Sequence, residues 1–301
     1  MRMRACLTAA VLSVASSSAF AQLAAPAYGV AFRDFYQIDL AARRASFVGE
    51  AGAVNGQAVA QIRGLTYGPA GEILAVVGNQ KIIVQLDPAS GTASYRGSLS
   101  GMPTEEALDL SMTYACDGNL WIASANGSLW KTPPSAIHPV YVGSTGKPIT
   151  GLAARGDTLY AAAGRDDNSL YRVDTTDATV ERIGGFGAVP NYVNVVAMSF
   201  GADGTLWATL NYNPPALVDW SDLVKIDPAT GALTVLGSLE GPSRLRGISM
   251  NGFLVAPTDC TAGGSPPAPV PVPVRSPWVL ALMMAGLALA AAFALRRRRT
   301  F

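Results

Sequence analysis

Short apolar runs separated by polar turns recur along residues 27–257, and two patterns account for most of them. The first is an Asp, a turn, and a strand that ends in Gly. It reads DLAARRASFVG (39–49), DPASGTASYRG (87–97), DTTDATVERIG (174–184) and DPATGALTVLG (227–237), with Asp and Gly ten residues apart each time. Pro88 and Pro228 preset φ at the second turn position, and Gly91 and Gly231 can supply a positive φ where the chain reverses. Each copy is therefore expected to be a strand end, a hairpin turn and a short strand. KTPPSAIHPVYVG (131–143) stands where a fifth copy belongs, longer and without the Asp.

The second pattern precedes the first. It is a small residue, an apolar one, a turn with Gly, then a strand with a bulky residue followed closely by Ala. Its copies are GLTYGPAGEILAVV (64–77), SMTYACDGNLWIAS (111–124), GLAARGDTLYAAA (151–163), AMSFGADGTLWATL (197–210) and GISMNGFLVAP (247–257). Gly64, Ser111, Gly151, Ala197 and Gly247 align at spacings of 47, 40, 46 and 50, a period that signals a repeat architecture.

Four strands per period of this length is the arithmetic of a propeller blade. Strand a, with its small residue, is expected beside the central channel, where space is least. Strand b carries Leu74, Trp121, Tyr160, Trp207 and Leu254, bulky enough to fill the gaps between blades. Strands c and d form the Asp-to-Gly unit. The fold class predicted is all-β, a β-propeller of five four-stranded blades plus one C-terminal transmembrane helix. A β-sandwich would need no small residue at one repeated position, and a parallel β-helix would use shorter coils. The chain opens with a c–d unit (Tyr28 to Gly49) and closes with an a–b unit (Leu245 to Pro257). Together these are expected to make a fifth blade shared by both termini, which pairs strands that would otherwise be exposed edges.

The ends have a different grammar. Arg2 and Arg4, the apolar run Cys6 to Ala15, and Ala19-Phe20-Ala21 read as a signal peptide over 1–21. The propeller is expected over 22–260, and a Pro- and Gly-rich linker over 261–277. Residues 278–295 carry no charge and are long enough to span a slightly thin bilayer. Arg296, Arg297, Arg298 and Arg299 follow in a basic tail over 296–301. The positive-inside bias then leaves the tail in the cytoplasm and the domain outside.

Composition sharpens this picture. Residues 22–274 hold 15 basic and 21 acidic side chains, a formal charge of −6, which gives no electrostatic footprint for nucleic acid. Cys116 and Cys260 remain after the signal, an even number in an oxidising compartment, and stand either as one disulfide or as two buried thiols.

Little in the chain points to chemistry. His138 is the single histidine and lies in a proline-rich stretch, so neither a transition-metal site nor any cofactor is expected. The spacing of acids in GRDDNS (164–169) does not match a dedicated calcium loop. The remaining candidate is a pocket where the starts of strand a and the b–c loops share one face. Counting back from the small residues puts Arg63 and Arg246 at one register in neighbouring blades, with Asp109, Thr150 and Asn194 near the other strand starts. The loops add Asp166 and Asp167, Tyr192, Tyr212 and Trp220. Guanidinium groups beside carboxylates and aromatics suit a sugar, a peptide or an anion; solvated loop residues with a structural Arg–Asp pair are the competing reading.

The repeat, over about 230 of the residues, resembles the broad group of secreted bacterial propellers with NHL and quinoprotein-like repeats; this implies architecture, not activity. The C-terminal stretch, with Pro273, Ser276 and Trp278 ahead of the apolar run and Arg296 to Arg299 after it, resembles the PEP-CTERM and IPTL-CTERM class of sorting signals. Val274 and Arg275 depart from its usual residues. That resemblance implies a Gram-negative inner membrane, with the domain in the periplasm. It also implies processing by an exosortase-type transpeptidase and sorting on to the cell surface or matrix. The function expected is a binding or display module for an extracellular glycan, peptide or small molecule. The rival is a carbohydrate-active or other propeller enzyme with paired carboxylates in the channel mouth.

Overall fold

The computed structural model describes residues 26–103, 105–106, 109–189, 193–212, 221–241 and 249–260. The segments expected to be signal peptide, linker, sorting motif, transmembrane helix and basic tail (1–21 and 261–301) lie outside the described residues.

The chain is a five-bladed β-propeller. Three strands open it: β1 (Ala27–Ala31), β2 (Asp34–Asp39) and β3 (Arg44–Glu50). A small hairpin, β4 (Ala53–Val54) and β5 (Gln57–Ala58), turns at Asn55-Gly56, both with positive φ, as a two-residue hairpin loop requires. Blade one follows as β6 (Ile62–Tyr67), β7 (Ile73–Val77), β8 (Ile82–Leu86) and β9 (Ala93–Ser98). Blade two is β10 (Leu110–Tyr114), β11 (Leu120–Ser124), β12 (Ser128–Thr132) and β13 (Val140–Ser144). Blade three is β14 (Ile149–Arg155), β15 (Thr158–Ala163), β16 (Ser169–Val173) and β17 (Val180–Gly185). Blade four is β18 (Val193–Phe200), β19 (Leu206–Tyr212), β20 (Ser221–Ile226) and β21 (Leu233–Ser238). The last strand, β22 (Gly252–Leu254), pairs antiparallel with β1, so the closing sheet runs β22-β1-β2-β3.

The two termini do share that blade, but not two strands each. The N-terminal side gives strands b, c and d, and the C-terminal side gives strand a alone. Leu254 therefore sits on strand a, and its cross-strand partner Tyr28 takes the strand-b place. The repeat pattern points to Gly247, but the connection from blade four into β22 is longer than those between the other blades. Gly247 lies outside the described residues, and Gly252 holds the hub position.

The small hub residues have a direct steric cause. A Cβ on Gly64 would lie 2.4 Å from the Met112 amide nitrogen, and on Gly252 2.1 Å from the Arg63 carbonyl oxygen. The first strands of neighbouring blades touch there, backbone to backbone. Among the described residues, the channel they enclose is almost filled. A void of about 10 Å³ remains among Gly64, Ser111, Gly151, Ala197 and Gly252. Another of about 10 Å³ lies below it among Thr66, Thr113, Ser199 and Leu254.

The repeated Asp-to-Gly unit also has a cause that spans blades. Its Asp side chain accepts amide hydrogens inside the turn, as Asp87 does from Ala89 at 2.7 Å and Asp227 from Ala229 at 2.9 Å. Its Gly receives the c–d turn of the next blade. A Cβ on Gly49 or on Gly184 would lie 1.9 Å from the carbonyl oxygen of Ser90 or Thr230. In blade two the longer connection does the same job with an apolar side chain, since Ile137 packs over Gly97. Between blades four and five, Arg43 donates to the Leu236 carbonyl and the Glu240 amide donates to the Arg43 carbonyl at 2.8 Å.

Five buried clusters lie between neighbouring blades, with Trp121, Phe35 and Leu74 almost wholly enclosed. Each such side chain is worth about 1.5–3 kcal/mol of burial. The outermost strands are edges, and every c–d pair carries a β-bulge, which twists the edge away from straight pairing with another chain.

Below the hub, residues 255–260 cross the face that carries the a–b turns. The Val255 amide donates to Ser199 Oγ in blade four at 3.1 Å, and Thr258 Oγ1 to the Tyr114 carbonyl in blade two at 2.7 Å. The Gly156 amide in blade three donates to the Asp259 carbonyl at 3.1 Å. Cys260 is joined to Cys116 by a disulfide, with their Cα atoms 5.4 Å apart. The segment thus straps the lower face shut.

Candidate functional site

The upper face carries the b–c turns and the connections between blades. At its centre, strand a of blade one is bulged between Ile62 and Leu65, which turns the Arg63 side chain into the channel mouth. Arg63 Nη2 lies 3.3 Å from Asp109 Oδ1, and Nη1 donates to Asn251 Oδ1 at 2.9 Å. Asn211 Nδ2 donates to the same Asn251 oxygen at 3.1 Å. Arg165, from the b–c turn of blade three, donates through Nη2 to Asp109 Oδ2 at 3.0 Å. One carboxylate is therefore clasped by two guanidinium groups from different blades, over a floor of two buried asparagines.

The two arginines differ in exposure. The Arg63 side chain is 13% exposed, and its buried Nε has no hydrogen-bond partner among the described residues. Arg165 is 37% exposed, and only its Nη2 is engaged among the described residues. Phe32, in the b–c turn of blade five, is half exposed, with the Arg63 guanidinium 5.9 Å from its ring centroid. Phe32 and Arg165 both sit at positive φ, 58° and 59°. Bulky residues adopt that conformation at a steric cost, and such strain concentrates at functional sites.

Beside the mouth, Tyr171 donates to Asp167 at 2.7 Å and Lys147 lies 3.1 Å from the same carboxylate. Burial pushes the Asp167 carboxyl up, but hydrogen bonds from Tyr171, Ser169 and Lys147 outweigh it and hold the group below its usual range. This cluster ties blade two to blade three and is closed on itself.

The expected site residues separate on this geometry. Arg63 and Asp109 meet directly. Asp166 is exposed at the tip of its turn, and its neighbour Asp167 makes the contacts instead. Thr150 is buried, and its Oγ1 accepts the Val196 amide at 3.1 Å, a strut between blades three and four. Asn194 lies in a bulge of β18, next to the Val193 carbonyl that accepts the Arg165 amide. Tyr212 is not on the surface. It is buried and donates to Asp222 at 2.9 Å, and burial together with that carboxylate pushes its phenol well up. Tyr192, Trp220 and Arg246 lie outside the described residues. With β22 as strand a, the residue at the register of Arg63 in blade five is Asn251, not Arg246.

Arg165, Asn251, Asn211 and Phe32 escaped the sequence reading. The signal for Asn251 was its place directly before a hub glycine, as Arg63 stands before Gly64. Arg165 carries no such signal, because only its left-handed turn brings it to Asp109 across 56 residues.

No protein-family model and no curated protein matches the chain. Solved structures do. One is a protein of unknown function from Bacteroides thetaiotaomicron, 15% identical, TM-score 0.46, covering 61% of this chain and 53% of that one. The chain thus spans about half the length of that protein. Another is a gluconolactonase of Xanthomonas campestris, 15% identical, TM-score 0.45, covering 75% of this chain and 84% of that one. A chain of a nidogen–laminin complex is 9% identical, TM-score 0.47, covering 78% of this chain and 99% of that one. At these identities and TM-scores the likeness carries no statement about activity.

Proposed function

We propose that the chain is a binding and display module whose ligand docks at the upper channel mouth. The observation that carries this is the partly open Arg63–Asp109–Arg165 cluster above a hub that the described residues fill closely, with voids of about 10 Å³ each. A ligand can rest in such a mouth but not pass through it. The rival enzyme reading needs a free acid and base. Asp109 has both of its oxygens held by guanidinium groups, which suits recognition better than proton transfer. The test is an array of glycans, peptides and small acids probed with the full chain. Any ligand captured should bind roughly tenfold or more weakly to an Arg63→Ala variant of similar melting temperature, the loss expected for a charged hydrogen bond. Unchanged affinity in that variant places the site elsewhere.

The tail belongs to the same proposal. Residues 278–295 hold the precursor in the inner membrane, and Arg296 to Arg299 keep its end in the cytoplasm. The strap supports a display role, because Cys260 is fastened to the lower face, opposite the cluster. Sorting by an exosortase-type enzyme would cut near Pro273 to Trp278, and the mass of the native protein separates a cut tail from a retained one.

A further inference from the structure

Among the described residues, two guanidinium groups share one carboxylate at the mouth, so the Arg63–Asp109–Arg165 cluster itself carries one unit of positive charge in a domain whose formal charge is −6. The inner arginine is fixed by Asp109 and Asn251, whereas the outer one keeps Nε and Nη1 without partners among the described residues. Its turn holds it there in the left-handed conformation. A half-desolvated guanidinium with open donors in a fork is the shape that a planar, singly charged oxyanion fits. A dianion would bring more charge than the surplus and would meet Asp109 and the exposed Asp166 close by. Against Arg63, the other guanidinium on Asp109, stands the half-exposed phenyl ring of Phe32, also held by left-handed backbone.

We propose that the upper mouth receives a single carboxylate carried on a small ring. Arg165 takes the carboxylate, Arg63 stands behind it, and Phe32 supplies a flat platform for the ring. This rests on the mouth being the binding site. Acidic sugars and aromatic acids both present this chemistry, and the experiment separates them.

The experiment uses the full chain in mild detergent with its disulfide intact, titrated calorimetrically with galacturonate, benzoate, galactose, benzyl alcohol and inorganic phosphate. At least one acid should bind roughly tenfold or more tightly than its neutral counterpart and than phosphate. R165Q should lose that preference, R165K should recover only part of it, and neither should move the melting temperature. Galacturonate alone binding identifies an acidic sugar; benzoate alone binding identifies an aromatic acid. A neutral counterpart or phosphate binding as well as the acid overturns the proposal, as does full affinity in R165Q or no binding by either acid. Amide chemical shifts recorded in the same titrations keep the two claims apart. Galactose or phosphate shifting the amides of Phe32, Arg63 and Asp109 would leave the mouth as a site and remove the carboxylate. Binding of any probe that leaves those amides unmoved would remove both.

Discussion

Deleting residues 27–50 is expected to abolish cooperative unfolding, not merely to lower its midpoint. The segment supplies β1, β2 and β3, three of the four strands of the closing blade. It carries Val30, Phe35 and Ala45, which are fully buried, and the backbone partners of all three residues of β22. Without it, Gly252–Leu254 is a lone strand, and the facing sides of blades one and four meet water. The lost contacts are comparable to the whole stability of a domain, about 5–15 kcal/mol. The unpaired strand and apolar faces left behind favour aggregation. Thermal unfolding followed by circular dichroism checks this. A deleted chain that melts as sharply as the intact one would show that the ring closes in another way.

Breaking the Cys116–Cys260 bridge should have the second-largest effect, a loss of about 2–5 kcal/mol with the fold retained. The bridge spans 144 residues of sequence and so removes much of the freedom of the unfolded chain. The native ring does not depend on it for pairing, because β22 meets β1 through backbone hydrogen bonds. The strap does depend on it. Once cut, residues 255–260 keep hydrogen bonds to Ser199, Tyr114 and Gly156 but lose their covalent tie. Urea unfolding of the Cys116→Ser, Cys260→Ser double variant measures the loss. Equal midpoints and slopes for variant and parent would contradict it.

Much of the architecture was legible because its cause is local and repeated. Gly64, Ser111, Gly151 and Ala197 recur because neighbouring strands touch at the hub, and the Asp-to-Gly spacing recurs because each turn must reach the Gly of the blade before it. Closure was harder to read, because one blade breaks the period. The opening segment runs from Tyr28 to Gly49, long enough for three strands with a tight turn at Phe32-Arg33, and that length was the clue to its true share. The site was only half legible. Arg63 and Asp109 stand at strand starts, where counting finds them, and the bulge in β6 brings them together. Arg165 reaches Asp109 across 56 residues through a left-handed turn, which no spacing rule announces. Tyr212 looked like a loop aromatic, yet strand pairing with Val193 and the bond to Asp222 bury it.

The claim that the upper mouth is where this chain binds is tested most directly by hydrogen exchange, recorded with and without a ligand captured from the array. Protection should appear at Phe32-Arg33, Gln61 to Arg63, Asp109, Arg165 to Asp167 and Asn251. It should be absent from the lower turns at Asp117 to Asn119 and Asp203 to Thr205. Protection of the lower turns, with the mouth unchanged, would contradict the account.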